Sequence, residues 1–284
     1  MRFFHVDAFT DAAFGGNPAA VCLLDDPADP SWMKQVAAEV NLPMTAFVER
    51  REGGYGVRWF TAGAAEVVLC GHSTLASAHV LVEVGLAQRD EAIGFDSASG
   101  PLVAGRDGDM ITLDFPARPA VPEQAPPGLL AALGVTRPAW TGRAPEDFLV
   151  VLDSEDQIVE LDPDLAALTT VKIRGAIVTA PASRSGADFV SRFFAPSIGV
   201  PEDPVTGSAH CTLAQYWGER LERPTLTGYQ ASARGGAVRV HWQGDRVTLA
   251  GQAVTVLSGT LAAAAPAHPR SNDPNPPPGS SQRP

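Results

Sequence analysis

Apolar and polar positions alternate along this chain in two rhythms, and the same order of rhythms occurs twice. Val57-Arg58-Trp59-Phe60 is short, aromatic and β-branched, which predicts a strand. From Ser73 to Val84 the apolar residues Leu75, Ala78 and Val82 fall three and four apart, the spacing of one helix face, and Gly85 supplies a stop. Phe189 to Phe194 repeats the strand, and a second helix begins near Gly207-Ser208. Asp107-Gly108 between Leu102-Val103 and Met110-Ile111 predicts a hairpin, as does Gln243-Gly244-Asp245 later. A further helix is predicted from Pro30 to about Val40. Asp29 can cap it, Pro30 suits its first turn, and Trp32, Val36 and Val40 share one face.

Three blocks recur in the same order. Arg58-Trp59-Phe60 returns as Arg192-Phe193-Phe194, and Gly71-His72-Ser73-Thr74-Leu75-Ala76 as Ala209-His210-Cys211-Thr212-Leu213-Ala214. Gly108-Asp109-Met110-Ile111-Thr112-Leu113 returns as Gly244-Asp245-Arg246-Val247-Thr248-Leu249, with a few extra residues before His210. One such match arises cheaply by chance, but three in order predict a duplicated unit. The expected fold class is α+β, each half a curved mixed sheet around a central helix. The boundary falls in the Pro-rich stretch Pro116 to Pro127, giving domains 1–116 and 117–262, with the last strand able to return to the first domain. Beyond Leu261 the composition shifts to Ala, Pro, Asn and Ser, so residues 263–284 are expected to be a disordered tail.

Composition narrows the function classes. The 284 residues are 45% hydrophobic, enough for two ordinary cores. A formal net charge of -11 argues against nucleic-acid backbones, which need clustered Lys and Arg. No apolar run approaches the ~20 residues of a membrane span. The three cysteines, Cys22, Cys70 and Cys211, are odd in number and widely scattered, which predicts reduced thiols and a cytoplasmic enzyme acting on a small molecule.

Two turn-to-helix junctions carry the unusual residues: Glu66-Val67-Val68-Leu69-Cys70-Gly71-His72-Ser73 and Glu202-Asp203-Pro204-Val205-Thr206-Gly207-Ser208-Ala209-His210. A helix start presents unpaired N–H groups and the positive end of the helix dipole, a receptor for a carboxylate. Related by pseudo-symmetry, the two junctions could face each other and hold a small acid on Gly71, Ser73, Gly207 and Ser208. The blander reading stands beside it: Gly71 and Gly207 permit tight turns, and Ser73 and Ser208 are ordinary caps.

At these residues the chain resembles the PhzF-like phenazine-biosynthesis family. Phe4-His5-Val6-Asp7-Ala8-Phe9-Thr10, Gly16-Asn17-Pro18-Ala19-Ala20-Val21, Cys70 to Ala76, Arg192 to Pro196 and, most diagnostically, Glu202 to His210 resemble its signature blocks. The resemblance covers residues 1 to 262. It implies a diaminopimelate-epimerase-like fold, no cofactor, a homodimer, and isomerisation of a dihydro-hydroxyanthranilate by moving a proton along a conjugated system.

The resemblance also implies a proton-carrying glutamate in the segment Asn41-Leu42-Pro43-Met44-Thr45-Ala46-Phe47, where this chain has Met44. A thioether exchanges no protons, so the family's chemistry does not transfer intact. Val68 stands where members often carry an acid, and both changes are expected to remove charge from the site. Asp203 then becomes the first choice for acid or base, against the reading of a turn aspartate before Pro204. His72 can donate to a substrate carbonyl or carboxylate and is expected to titrate near neutrality, unless backbone carbonyls satisfy it. His210, deeper in its helix, is expected to pack.

Cys70 falls where diaminopimelate epimerases place one of two thiol bases. The matching region of the second half, Asp203-Pro204-Val205, has no thiol, so a buried structural cysteine lining the substrate site is the favoured reading. The spacings of Cys70, His72, His210 and Cys211 do not resemble zinc-chelating pairs, and no metal is expected. Glu49 and Glu66 are read as solvated or turn residues. Together these features predict a cofactor-independent isomerase that shifts a double bond, or interconverts keto and enol forms, on a small cyclic amino-acid-like acid of secondary metabolism. A pyrroline or alkylproline precursor, and a catalytically idle acid-binding protein, are the alternatives.

Overall fold

The structure is a computed structural model and describes residues 1–262; the expected disordered tail, 263–284, lies outside the described residues. The first half runs β1 (Arg2–Ala8), β2 (Asn17–Leu24), α1 (Pro30–Val40), β3 (Met44–Arg51), β4 (Gly54–Thr61), β5 (Glu66–Val67), α2 (Gly71–Glu83), β6 (Ile93–Ser97), β7 (Gly100–Asp107) and β8 (Met110–Pro116). The second runs β9 (Val121–Pro122), α3 (Leu129–Ala132), β10 (Trp140–Arg143), β11 (Asp147–Val151), α4 (Glu155–Val159), α5 (Leu165–Leu168), β12 (Gly175–Pro181), β13 (Phe189–Phe194), α6 (Gly207–Leu221), β14 (Thr225–Gln230), β15 (Gly236–Gln243), β16 (Arg246–Gly251) and β17 (Ala253–Thr260). A single 3₁₀ turn, Pro196–Ile198, precedes α6.

The strand pairings follow one order in both halves. From β1 through β2, β3, β4, β6, β7 and β8 the pairs are antiparallel, parallel, antiparallel, parallel, antiparallel, antiparallel. From β10 through β11, β12, β13, β14, β15 and β16 the same six senses recur. Two ladders then join the halves. β8 runs antiparallel to β16, with Leu113 opposite Leu249 and Phe115 opposite Val247, and β17 lies antiparallel to β1. All the strands thus belong to one large curved mixed sheet.

Alternation along the strands sorts side chains between an inner and an outer face. In the first half Val21, Ala46 and Trp59 face the inner core around α2, while Cys22, Phe47 and Phe60 face outward under α1. In the second half Leu149, Ile177 and Phe193 face inward, while Phe148, Val178 and Phe194 pack outward under α3 to α5. Helix α2 is buried almost all round, from Ser73 to Ala78 and at Val80 and Leu81, as a helix enclosed by sheet must be. The inner core is continuous across the halves.

Local chemistry explains the boundaries. Asp29 Oδ1 accepts from Ser31 N at 2.7 Å, capping α1, and Pro30 opens it. Gly85, in the left-handed region at φ 74°, follows the end of α2. The β7–β8 and β15–β16 hairpins close with two-residue loops, Gly108-Asp109 and Gly244-Asp245, each glycine at φ 60°. The first turn thus sits one residue later than Asp107-Gly108 suggests, because a two-residue loop with a leading glycine matches the strand twist. Cys22, Cys70 and Cys211 are buried and free. Among the described residues no helix is long and apolar enough to cross a membrane.

The Arg-x-Phe repeats have a common structural task. Arg58 binds Glu66 through Nε at 2.7 Å and Nη2 at 2.8 Å, with its guanidinium 5.4 Å from the Phe60 ring. Arg192 binds Glu202 through Nε at 2.7 Å and Nη2 at 2.9 Å, 4.8 Å from the Phe194 ring. Each arginine ties the acidic start of a junction to the strand before it. Glu66 is therefore tethered at the start of β5 rather than in a turn, and Glu49 pairs with Arg51. Arg192 is the more buried of the two and also donates to Leu161 O at 2.6 Å. Arg192→Ala is expected to cost about 2–3 kcal/mol and Arg58→Ala about 0.5–1 kcal/mol, measured by urea unfolding; equal losses would show that burial does not separate the two tethers.

Candidate active site

Pairing of β8 with β16 brings the two inner helices together at their N-termini. A methyl added at Gly71, the first residue of α2, would stand 3.6 Å from Phe115 Cζ on β8. One added at Gly207, the first residue of α6, would stand 3.4 Å from Leu249 Cδ1 on β16. Neither glycine lies in the left-handed region, so backbone strain does not demand glycine at either place. Neither N-cap residue, Cys70 of α2 or Thr206 of α6, supplies an oxygen cap, although the Cys70 sulfur draws on the His72 and Ser73 N–H groups. The first-turn N–H groups of α6 therefore remain for a ligand or solvent, while those of α2 have only the weakly accepting Cys70 sulfur beside them. Gly71, His72, Gly207, Ser208, Asp203 and Met44 are each partly exposed, whereas Ser73, Thr74, Val205, Thr206, Ala209 and Asn17 around them are buried. Solvent thus reaches both helix starts. Two surface depressions, beside Leu133–Pro138 and beside His79 and Arg106, do not border Asp203.

Asp203 is held by a network from both halves. Asn17 Nδ2, at the start of β2, donates to Asp203 Oδ1 at 2.7 Å and to Val205 O at 2.8 Å. Thr206 Oγ1 donates to Asp203 Oδ2 at 2.6 Å. Gln230 at the end of β14 accepts from Thr206 N at 2.9 Å and donates to Asp203 O at 2.6 Å. Asp203 N donates to Phe193 O at 3.0 Å. This bonding exceeds what a turn before Pro204 requires, and it fixes both carboxylate oxygens. Desolvation pushes the Asp203 carboxyl up to about 6, against the pull of Thr206, Asn17 and Arg174 and with a small push from Glu202.

The other candidates do not exchange protons near neutrality. Burial lowers His72 to about 4, so it is a neutral imidazole at pH 7 and does not titrate near neutrality as its sequence context suggested. Its Nδ1 lies 3.4 Å from Cys70 Sγ. Burial, aided by the Asp203 charge, pushes the Cys70 thiol up to about 11, against the pull of the helix N–H groups. His210 is fully buried, bonded through Nδ1 to Thr206 O at 2.8 Å and packed on Phe189, a core residue.

Met44 opens β3 opposite Ala19 of β2 and Thr61 of β4. Strand alternation puts Asn17 and Ala19 on one face, so Met44 shares the face from which Asn17 reaches Asp203. The thioether thus forms an apolar wall on the inner side. Val68 is 65% exposed and stands in solvent, so its change from an acid does not strip charge from the interior of the site. By cap position the counterpart of Cys70 is Thr206, not the Asp203-Pro204-Val205 stretch. The Thr-Leu-Ala triplets begin at the fourth residue of α2 but the sixth of α6, since α6 starts two residues earlier relative to the repeat. Among the described residues no group of three His, Cys, Asp or Glu is arranged to hold a metal.

Sequence reasoning missed Asn17, Thr206, Gln230 and Arg174. Asn17 lies in a noted block, Gly16-Asn17-Pro18, but its role depends on a contact 186 residues away. Gln230 and Arg174 carry no local signal.

The architecture is that of the racemase- and epimerase-like folds. A probable proline racemase from Agrobacterium radiobacter K84 superposes with a TM-score of 0.61 at 10% identity over 92% of each chain, a likeness of fold alone. The sequence matches the phenazine biosynthesis-like protein family, PhzC-PhzF, over residues 6–259, and the chain belongs to that family. It is 48% identical to an uncharacterized isomerase of Halalkalibacterium halodurans, over 90% of this chain and 96% of that one. A PhzF-family phenazine biosynthesis protein of Enterococcus faecalis has a TM-score of 0.86 and 38% identity, covering 91% of this chain and 97% of the other.

Because the folded-state affinity of Asp203 for its proton exceeds that of an unfolded aspartate, its contribution to stability is full below about pH 4 and is lost as pH rises through about 6. Asp203→Asn removes the penalty of ionisation. The variant is expected to be more stable than the wild type by about 1–2 kcal/mol at pH 8, with the gap closing below pH 5; a variant less stable at pH 8 would show that the carboxylate is satisfied in place.

Proposed function

We propose that this protein is a cofactor-independent isomerase that moves a proton between two carbons of a small cyclic, unsaturated carboxylic acid of secondary metabolism. The observation that supports it best is that Asp203 alone among the site groups changes protonation near neutral pH, while it stands beside two helix starts that lack an oxygen cap. Isomerisation is also the reaction class in the names of the relatives.

In this reading the substrate carboxylate lies on the N–H groups at Gly71-His72-Ser73 and Gly207-Ser208. Asp203 as carboxylate takes a proton from a ring C–H activated by the conjugated acid. The electron pair of that bond passes into the π-system, and the resulting dienolate charge is held by the helix N–H groups and by neutral His72 acting as a hydrogen-bond donor. Protonated Asp203 then returns the proton at the far carbon, and the double bond has moved with no net change in atoms or electrons. Asn17, Thr206 and Gln230 hold Asp203 through both deliveries.

Met44 gives this site one proton carrier where a second carboxylate is expected in the family, and an apolar wall against the ring. That favours a ring with fewer polar substituents than the phenazine precursor, such as a pyrroline acid. We also infer that residues 1–116 and 117–262 are two copies of one unit, a reading supported by the shared order of six strand pairings and by the two Arg–Glu tethers.

The protein is to be incubated in D2O with trans-2,3-dihydro-3-hydroxyanthranilate and, separately, with pyrroline carboxylates, following absorbance and deuterium incorporation. At least one acid is expected to isomerise, with a rate that rises with pH through about 6 and falls by about 10²-fold or more in Asp203→Asn. Turnover unchanged in that variant would remove Asp203 from the mechanism; binding with no exchange in any acid would make this an idle acid-binding protein.

A further inference from the structure

The cation whose charge acts on Asp203, Arg174, lies outside every motif of the sequence. Arg174 immediately precedes β12, and Asp147, the first residue of β11, is buried beside it. Asp147 accepts from Arg174 Nε at 2.8 Å and from Nη2 through its second oxygen. That bidentate grip takes one edge of the guanidinium and fixes its plane. The other hydrogen of Nη2 goes to Ser208 Oγ at 3.1 Å, at the second residue of α6. Since Ser208 accepts there, its own hydroxyl hydrogen is left to donate, and planarity puts Nη1 on the same edge.

The surroundings are shaped for this arm. The guanidinium carbon lies 5.7 Å from the centre of the Phe193 ring, and Phe193 O anchors Asp203 N. Gly175, directly opposite Asp147 in the parallel ladder, must lack a side chain: a methyl there would come within 2.3 Å of Phe193 Cζ and 3.1 Å of Asp147 Oδ1. The charged groups around the arm are few. Asp147, Glu146 and Asp203 face Arg174, and Arg118 binds Glu146 at 2.6 Å. Asp203 feels the charges of Arg174 and Glu202, and Glu202 is committed to Arg192.

We propose that Arg174 is a positioning residue of the active site: clamped by Asp147, it turns the Ser208 hydroxyl toward the bound acid and places a positive charge in the field of Asp203. The proposal rests on the acid-binding site described above. It separates two effects of one side chain, since the charge acts on Asp203 and the hydrogen bond acts on Ser208.

The test compares the wild type with Arg174→Met, Arg174→Lys and Ser208→Ala. The Asp203 titration is read by carboxyl ¹³C NMR, and the affinity for cyclohex-1-ene-1-carboxylate by calorimetry. Arg174→Met is expected to raise the proton affinity of Asp203 roughly tenfold and to weaken acid binding roughly tenfold. Arg174→Lys keeps a charge against Asp147 and is expected to leave the Asp203 titration near wild type while weakening the acid. Ser208→Ala is expected to weaken the acid alone. If Arg174→Met fails to fold, the lysine variant decides, and wild-type acid affinity in it overturns the proposal. An Asp203 titration unmoved in folded Arg174→Met overturns it as well. Should the wild type itself not bind the acid, the acid-binding site fails, and the Asp203 titration still judges the electrostatic role of Arg174.

Discussion

The pairing of β8 with β16 is the constraint on which the site depends. Each inner helix starts on its own half's ladder strand, Gly71 over Phe115 and Gly207 over Leu249, so antiparallel pairing of those strands fixes where the helix starts lie relative to each other. Backbone hydrogen bonds in a sheet buried on its inner face have no cheap alternative partners, and a one-residue slip would turn Leu113, Phe115, Val247 and Leu249 out of the core. The register that stabilises the protein is therefore also the register that assembles two helix starts without an oxygen cap around one carboxylate. The β1–β17 ladder and the Asn17–Asp203 bond add further links between the halves.

Within that frame the site holds one proton that can move under ordinary conditions. Burial acts on every titratable group there, but it acts in opposite directions by charge type. It takes His72 and His210 down to about 4 and Cys70 up to about 11, both away from neutrality, whereas it takes Asp203 up to about 6, toward neutrality. Two donors, Asn17 and Thr206, hold that carboxylate still, Gln230 holds its backbone carbonyl, and a clamped arginine offsets part of the desolvation. The replacement of an expected glutamate by Met44 leaves this group without a charged rival on the inner face.

Much of the fold was legible because it follows local rules. Asp29, Pro30 and the face Trp32–Val36–Val40 specify α1 to the residue, and the Arg-x-Phe, His-x-Thr-Leu-Ala and Gly-Asp blocks foreshadow the matching order of pairings. The twice-written arginine was visible as a repeat, but its task was not, since Glu66 and Glu202 lie 8 and 10 residues further along and come back only through the turn. In the site, Asp203 and both glycine junctions were legible as residue types that chemistry would want. Gln230, Arg174 and Asp147 were not, because a polar residue becomes functional there through tertiary placement that no spacing encodes. The titration of His72 was misjudged for the same reason: sequence shows the imidazole but not its burial.

The two helix starts and Asp203 together are predicted to receive one acid. The most direct measurement is a crystal structure of the protein with a bound cyclic unsaturated carboxylate at neutral pH. The predicted result is a carboxylate within hydrogen-bond reach of the N–H groups of Gly71–Ser73 or Gly207–Ser208, with ring carbons beside an Asp203 oxygen and against Met44. An acid bound away from both helix starts, or with Asp203 turned from its ring, would contradict it.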